Sequence, residues 1–359
     1  MRRISVLSAL LAAAILSGCS KTAGTFENEV RIIVSGFDNV CNNGELYTDN
    51  KGRLNFTDFE TMQSVIVCSK PNCTHSDEGE CSAFGMDNFT IMYEDKLYFF
   101  DTEVIYENDD VREDTTIYKA DLDGTNRTAL YTIKGYNVET ARILVAEDTA
   151  YFTVRNVKWS EDKTTKSGRE ILWLASYKIS ENKFLMLEKL CEGYSTGIYM
   201  YGLWKGGVYF AQTSSEEQWD WDPEDPSGLN REWDERECVY NIAEKTVSEY
   251  ELPEPFCVEC GYYIHQKDGG LAVLTEDGNE KFIANFSAHP YNKIVNGKIF
   301  DVPNGLCVDL ETGSVITLKS VDGLTQEFIP AAFFDGNYIF KNYTNDGRGY
   351  IKIPENELF

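Results

Sequence analysis

Four side chains able to bind a metal or to cross-link the chain fall within 14 residues: Cys68, Cys73, His75 and Cys81. Three thiolates and an imidazole make a tetrahedral Zn²⁺ donor set, and a site whose four positions are all filled by protein holds structure rather than performing catalysis. The same thiols can instead form a disulfide, which an exported chain makes readily for a gain of ~2–4 kcal/mol. The Cys-x4-Cys-x-His-x5-Cys spacing differs from that of the commonest zinc ribbons, so zinc and disulfide both stand. In either case the segment reads as a staple.

Other matches to catalytic patterns lack the context their chemistry needs. Cys257 and Cys260 have the Cys-x-x-Cys spacing of thiol-disulfide oxidoreductases, but such a pair opens a helix. Here Pro253, Pro255 and Gly261-Tyr262-Tyr263-Ile264 flank it, which predicts a loop entering a strand and a structural disulfide or idle thiols. Gly193-Tyr194-Ser195-Thr196-Gly197 has the outline of a nucleophile elbow, which requires a helix after the serine. The following Ile198-Tyr199-Met200-Tyr201 predicts a strand, so the match reads as a turn. With only His75, His265 and His289 in the chain, a Ser-His-Asp set is poorly supplied. Zincin, phosphate-loop and EF-hand patterns do not occur.

The run Glu216–Glu237 holds Trp219, Trp221 and Trp233, half of the 6 tryptophans, interleaved with Asp220, Asp222, Glu224, Asp225, Asp234 and Glu235. Pro223 and Pro226 exclude a strand or helix interior. One reading is a solvated acidic loop whose indoles fold back onto the body. The other is a recognition loop that stacks indole faces on sugar rings or a protein partner, with Trp219, Trp221, Trp233, Asp220 and Asp222 as the binding residues. Calcium bridging by Asp220, Asp222 and Asp225 matches no known loop spacing.

The elements that must position these residues are strands. From Glu29 onward helical periodicity is nearly absent and two hairpin patterns recur. In the first, an Asp-, Asn- or Gly-rich turn launches an aliphatic–aromatic strand, as at Glu94-Asp95-Lys96-Leu97-Tyr98-Phe99 and Asn296-Gly297-Lys298-Ile299-Phe300. Further copies begin at Asn43, Glu147, Gly206, Gly269 and Asp335. In the second, a four-residue polar turn joins two strands, most clearly at Ile117–Leu122, Asp123-Gly124-Thr125-Asn126 and Arg127–Tyr131. Two hairpins per repeat make the four-stranded antiparallel blade of a β-propeller. The fold expected is therefore all-β, a single β-propeller with seven four-stranded blades, six or eight being the alternatives. The tight spacing between Gly269 and Asn296 predicts that one blade is trimmed there. The competing architecture is a sandwich or a pair of β-domains. Loops between second and third strands are expected to lengthen at Glu103–Thr115, Lys158–Gly168 and Ser214–Glu237, giving a lopsided acidic, aromatic rim that the Cys68–Cys81 link shares.

The N-terminus carries an address. Arg2 and Arg3 precede an apolar run from Ile4 to Leu16, too short for a bilayer span of ~20 residues. Leu16-Ser17-Gly18-Cys19 resembles the lipobox of bacterial lipoproteins, which implies a diacylated Cys19 as the mature first residue. The division expected is a signal peptide at 1–18, a lipidated tether at 19–28 and a propeller at 29–359, anchored outside the cytoplasm. Once Cys19 is set aside, nine of the 10 cysteines remain. Three on a metal leave six to pair, whereas all-disulfide bonding strands one. Acidic residues number 59 against 33 basic ones, a net charge of −26 that repels nucleic acid and leaves the lipid as the membrane contact.

The stretch Tyr118-Lys119-Ala120-Asp121-Leu122-Asp123-Gly124-Thr125-Asn126 resembles TolB-like extracytoplasmic propeller repeats. The Val67–His75 segment followed by Cys81-Ser82-Ala83-Phe84 is similar to a motif in propeller lipoproteins of Gram-positive anaerobes. That resemblance implies fold and location and brings no activity with it. The function expected is a surface-anchored module that binds or scaffolds an extracellular glycan or protein. The alternative is a propeller hydrolase or lyase with carboxylates meeting in the central channel.

Overall fold

A computed structural model of the chain describes residues 30–35, 39–41, 43–76, 79–86, 89–107, 110–159, 166–217, 232–259, 261–275, 277–283, 286, 293–344 and 347–359. Nearly all of them are strand or turn. After β1 (Val30–Ser35), the strands fall into successive antiparallel units. The first is β2 (Val40–Cys41), β3 (Gly44–Thr48), β4 (Leu54–Asp58) and β5 (Gln63–Ile66). The second is β6 (Ile91–Tyr93), β7 (Lys96–Glu107), β8 (Asp110–Asp121) and β9 (Thr128–Ile133). The third is β10 (Asn137–Ala146), β11 (Thr149–Trp159), β12 (Lys166–Lys178) and β13 (Lys183–Gly193). The fourth is β14 (Ser195–Trp204), β15 (Gly207–Ser215), β16 (Asp234–Asn241) and β17 (Thr246–Glu249). The fifth is β18 (Pro255–Glu259), β19 (Tyr262–Lys267), β20 (Gly270–Leu274) and β21 (Glu280–Ile283). The sixth is β22 (Ile294–Val295), β23 (Lys298–Asp301), β24 (Leu306–Asp309) and β25 (Val315–Thr317), and the last is β26 (Ile329–Phe334), β27 (Asn337–Thr344) and β28 (Gly347–Pro354).

Turn chemistry sets the hairpins. A two-residue turn of type I′ needs positive φ at both central positions, and Asp268 and Gly269 adopt +46° and +77°, Asn296 and Gly297 +50° and +68°. At Lys205-Gly206 and Asp268-Gly269 the turn sits one residue earlier than the sequence pattern suggested, so Gly207 and Gly270 open their strands.

Apolar side chains on the two faces of each unit pack against its two neighbours. Leu46 and Phe56 meet Leu97 and Phe99 between units one and two, and Ile91 and Ile117 meet Val138 and Phe152 between two and three. The pattern continues through Leu174 with Phe210, Tyr209 with Tyr263, Ile264 with Ile299, and Phe300 with Phe340. It then returns to its start, because Phe59 of the first unit packs on Ala331 and Ile339 of the last. A chain of blades whose last face buries against its first is a closed ring, and the fold is an all-β propeller.

Inner strands approach closely at one seam. β14 and β18 run parallel and touch at Gly202↔Val258, where a Cβ on Gly202 would lie 1.6 Å from the Val258 carbonyl oxygen. The closing seam is polar as well as apolar. Glu45 accepts from Lys341 at 2.8 Å, from Tyr350 at 3.0 Å and from Arg348, while Lys352 reaches the Phe59 carbonyl at 3.0 Å. Glu45 and Lys341 are fully buried.

Two expectations need correction. The trimmed unit is not the fifth, which fits four strands by keeping β20 and β21 to five and four residues. The last unit has three strands among the described residues. The segment Glu103–Thr115 is not a loop, because β7 and β8 pair continuously from Lys96↔Asp121 to Glu107↔Asp110. Its β-branched and aromatic content (Val104, Ile105, Tyr106, Val111) extends the hairpin instead. β11 and β12 likewise extend to Trp159↔Lys166. β1 belongs to the third unit's sheet. It pairs antiparallel with β10, from Val30↔Ala146 to Ser35↔Arg142, on the inner edge of the third unit.

Candidate functional site

The link from β5 to β6 brings the four candidate ligands together. Cys73 N–H donates to the Lys70 carbonyl at 3.3 Å, turning the chain back, and Asn72 and His75 take positive φ of 60° and 54°. The Cys68, Cys73 and Cys81 sulfurs and a His75 ring nitrogen all lie within 4.8 Å of one another. His75 Nδ1 and Cys81 Sγ are 3.4 Å apart. With Zn–S of about 2.3 Å and Zn–N of about 2.05 Å, a tetrahedral site has an S···N edge of about 3.5 Å and S···S edges near 3.8 Å. The cluster is therefore at or slightly wider than zinc dimensions. All its thiols are free, as are the other described cysteines.

Electrostatics distinguish the thiols. Burial opposes ionisation of Cys68, but hydrogen bonds from Ser82 and the Lys70 backbone outweigh it and hold that thiol below its usual value. Burial, with the neighbouring Cys68 and Cys73, pushes Cys81 up to about 11. Neutral metal-free cysteines packed this closely gain little, whereas a divalent cation would ionise all of them.

Two turns from different units brace the segment. On one side Arg53, paired with Asp49 at 2.6 Å, donates to the His75 carbonyl at 3.3 Å, and Leu54 N–H donates to the Ala83 carbonyl at 2.9 Å. On the other side the β8–β9 turn presses in. Ser82 donates to the Asp123 carbonyl at 2.7 Å, Ser69 donates to the Asp123 carboxylate, and Arg127 donates to the Ser82 and Phe84 carbonyls at 2.7 and 2.5 Å. Arg127 also lies over the Phe99 ring at 5.1 Å. Gly124 must be glycine, since a Cβ there would stand 2.3 Å from the Ser82 carbonyl oxygen. Cys81, Ala83 and Phe84 form a small apolar floor with Ile66. The cluster thus ties the first unit to the second, and all four donors are spent on one point.

The remaining candidates do not converge on it. Trp233 is described and 40% exposed just ahead of β16. Trp219, Trp221, Asp220 and Asp222 lie outside the described residues, as do Cys19, Cys260 and His289. Cys257 is buried in β18, where burial pushes its thiol well above the usual range. Ser195 opens β14 directly after β13, with no helix following. His265 is buried, 4.0 Å from Glu280. Among the described residues no second metal-ligating cluster occurs. Sequence reasoning missed the brace, although Asp123-Gly124 was visible as a turn. Nothing local in the sequence pairs it with Ser82.

No protein-family model matches the chain, and no curated protein matches it. Among solved structures it is similar to an acylaminoacyl peptidase in complex with a chloromethyl ketone, at 11% identity and a TM-score of 0.42, over 75% of this chain and 44% of that one. It is also similar to the WD40 domain of SCAP from fission yeast, at 10% identity and TM-score 0.27, over 93% and 70%. A third is the Nup133 β-propeller domain of Vanderwaltozyma polyspora, at 9% identity and TM-score 0.22, over 71% of each. The chain therefore spans less than half the length of the peptidase it overlaps.

Proposed function

We propose that the protein is a lipid-anchored, extracytoplasmic binding module, held through Cys19, that presents the β7–β8, β11–β12 and β15–β16 end of the ring to a glycan or protein. The observation that carries this reading is β1 on the inner edge of β10, where the chain's own strand takes up space at the hub. A hydrolase built on the hub needs carboxyl groups about 5–10 Å apart facing an open pocket. A binding face needs rigid elements carrying exposed aromatics, and Tyr106 (72% exposed) stands at the end of the extended β7–β8 hairpin while Trp233 (40% exposed) lies just ahead of β16. The test is a glycan and peptide array probed with the mature chain and with a Tyr106→Ala, Trp219→Ala, Trp221→Ala, Trp233→Ala variant. Retention by the parent and loss by the variant at unchanged melting temperature supports the reading. Turnover of an arrayed substrate would favour the hydrolase or lyase instead.

We further propose that Cys68, Cys73, His75 and Cys81 hold a structural Zn²⁺. The donor types, the 3.4 Å N···S edge and the braces from two units support it. Native mass spectrometry of the mature protein should show one zinc per chain, with three thiols becoming reactive on chelation. A metal-free mass with a disulfide among these cysteines would refute it.

A further inference from the structure

We infer that β1 fixes how the ring stands on its membrane, with the tight-turn end toward the lipid and the extended-hairpin end toward the outside. This rests on the reading of Cys19 as the anchor and adds an orientation to it.

The argument follows strand direction. β10 ends at the Glu147-Asp148 turn into β11, so that turn marks one end of the ring. The parallel contact between β14 and β18 shows neighbouring inner strands running the same way. The first-to-second turns Glu94-Asp95, Lys205-Gly206 and Asp335-Gly336 therefore share that end, and the β7–β8, β11–β12 and β15–β16 connections share the other. β1 is antiparallel to β10 and places Val30 opposite Ala146, beside the tight turns. The chain preceding Val30 departs from that end.

Length then decides the outcome. Residues 20–29 contain ten residues, which reach at most ~33 Å. To bring the hairpin end to the lipid, they would first cross four inter-strand gaps, ~19 Å, and then descend a ten-residue strand, ~33 Å. The ~50 Å path exceeds the tether. A return through the hub consumes ~33 Å and leaves nothing to reach the surface. With the tight-turn end down, the same ten residues are ample.

Five register pairs between β1 and β10 hold Val30 against the ring.

The test uses the full acylated protein in phosphatidylcholine–phosphatidylglycerol vesicles carrying an energy-acceptor headgroup. A fluorescent unnatural residue replaces Asp95 in one sample and Tyr106 in another. Both positions are exposed and lie at opposite ends of β7, 11 residues apart in sequence, or ~36 Å along a strand. Transfer from position 95 should far exceed transfer from 106. A 40-residue Gly-Ser insertion between residues 22 and 23 should level the two, because the longer tether spans either path. Equal or reversed transfer with the native tether overturns the orientation while leaving the anchor intact. A mass showing unmodified Cys19 overturns both.

Discussion

Replacing Glu45 by alanine tests how the ring closes. Among the described residues the last unit contributes three strands and shares none with the first. Closure therefore falls to the Phe59–Ala331–Ile339 contact, the Lys352 bond to the Phe59 carbonyl and one carboxylate. That carboxylate accepts from Lys341 at 2.8 Å, from Tyr350 at 3.0 Å and from Arg348, and Arg348 also lies over the Tyr47 ring at 5.1 Å. Burial, with Glu45 nearby, pushes the Tyr350 hydroxyl well above its ordinary value, so it stays a donor at any physiological pH. Removing the anion leaves two buried cations without it. Breaking a buried pair in this way costs ~3–5 kcal/mol, against a typical total of ~5–15 kcal/mol. Urea unfolding followed by tryptophan fluorescence should show a lower midpoint at unchanged slope. Glu45→Ala combined with Lys341→Met should recover part of the loss, since the buried ammonium is removed along with the carboxylate it donates to. A cost below ~1 kcal/mol for Glu45→Ala, the value of a solvent-exposed pair, would show that water reaches the seam and that the carboxylate does not close the ring.

Other consequences can be checked on the same purified protein. Gly202→Ala should cost about 3 kcal/mol by forcing β14 from the Val258 carbonyl, whereas Gly206→Ala, with nothing within 4 Å but a φ of +69°, should cost only ~1 kcal/mol; equal losses would remove the close approach from the account. Arg127→Ala should cost ~2–3 kcal/mol through its lost charge-assisted bonds and speed thiol labelling at Cys68, Cys73 and Cys81; unchanged labelling would mean the β8–β9 turn does not brace them. Acid stability follows from Asp114 and Asp309. Burial opposes their ionisation, but the Gly135 N–H and Arg112 at Asp114, and the Thr312 N–H and hydroxyl at Asp309, hold both below the usual range. Depressed folded values add stability above the unfolded value of ~3.9 that is lost as pH falls through the folded ones. The melting temperature should hold between pH 7 and ~5 and drop below ~4; a decline starting near pH 6 would assign the acid limb to other groups.

The sequence revealed what is local. Turn chemistry at Asn296-Gly297 and Asp335-Gly336, followed by aliphatic–aromatic runs, placed strands and the repeat, because φ preference and alternation act over a few residues. The Cys68–Cys81 cluster was legible because its four donors are close in sequence. Contacts joining distant segments were not. Glu45 and Lys341 are 296 positions apart, and neither announces a buried partner. Asp123 and Ser82 look like ordinary turn residues until the second unit folds against the first. Nothing local in Val30–Ser35 names its partner strand, and only the tertiary arrangement sends it to β10. The hairpin extensions read as loops in the sequence because charges at Glu103, Glu107 and Asp110 interrupt the apolar pattern.

The proposed function and the inferred orientation both rest on the position of β1, and a cross-strand disulfide tests that position directly. Val34 and Ile143 are register partners, and opposed residues of an antiparallel pair lie ~4.5–5.5 Å apart at Cα, within disulfide reach. Oxidation of Val34→Cys/Ile143→Cys should yield one peptide linked between positions 34 and 143, in a protein whose melting temperature does not fall. An absent link, or position 34 joined to a cysteine of another unit, would contradict the account.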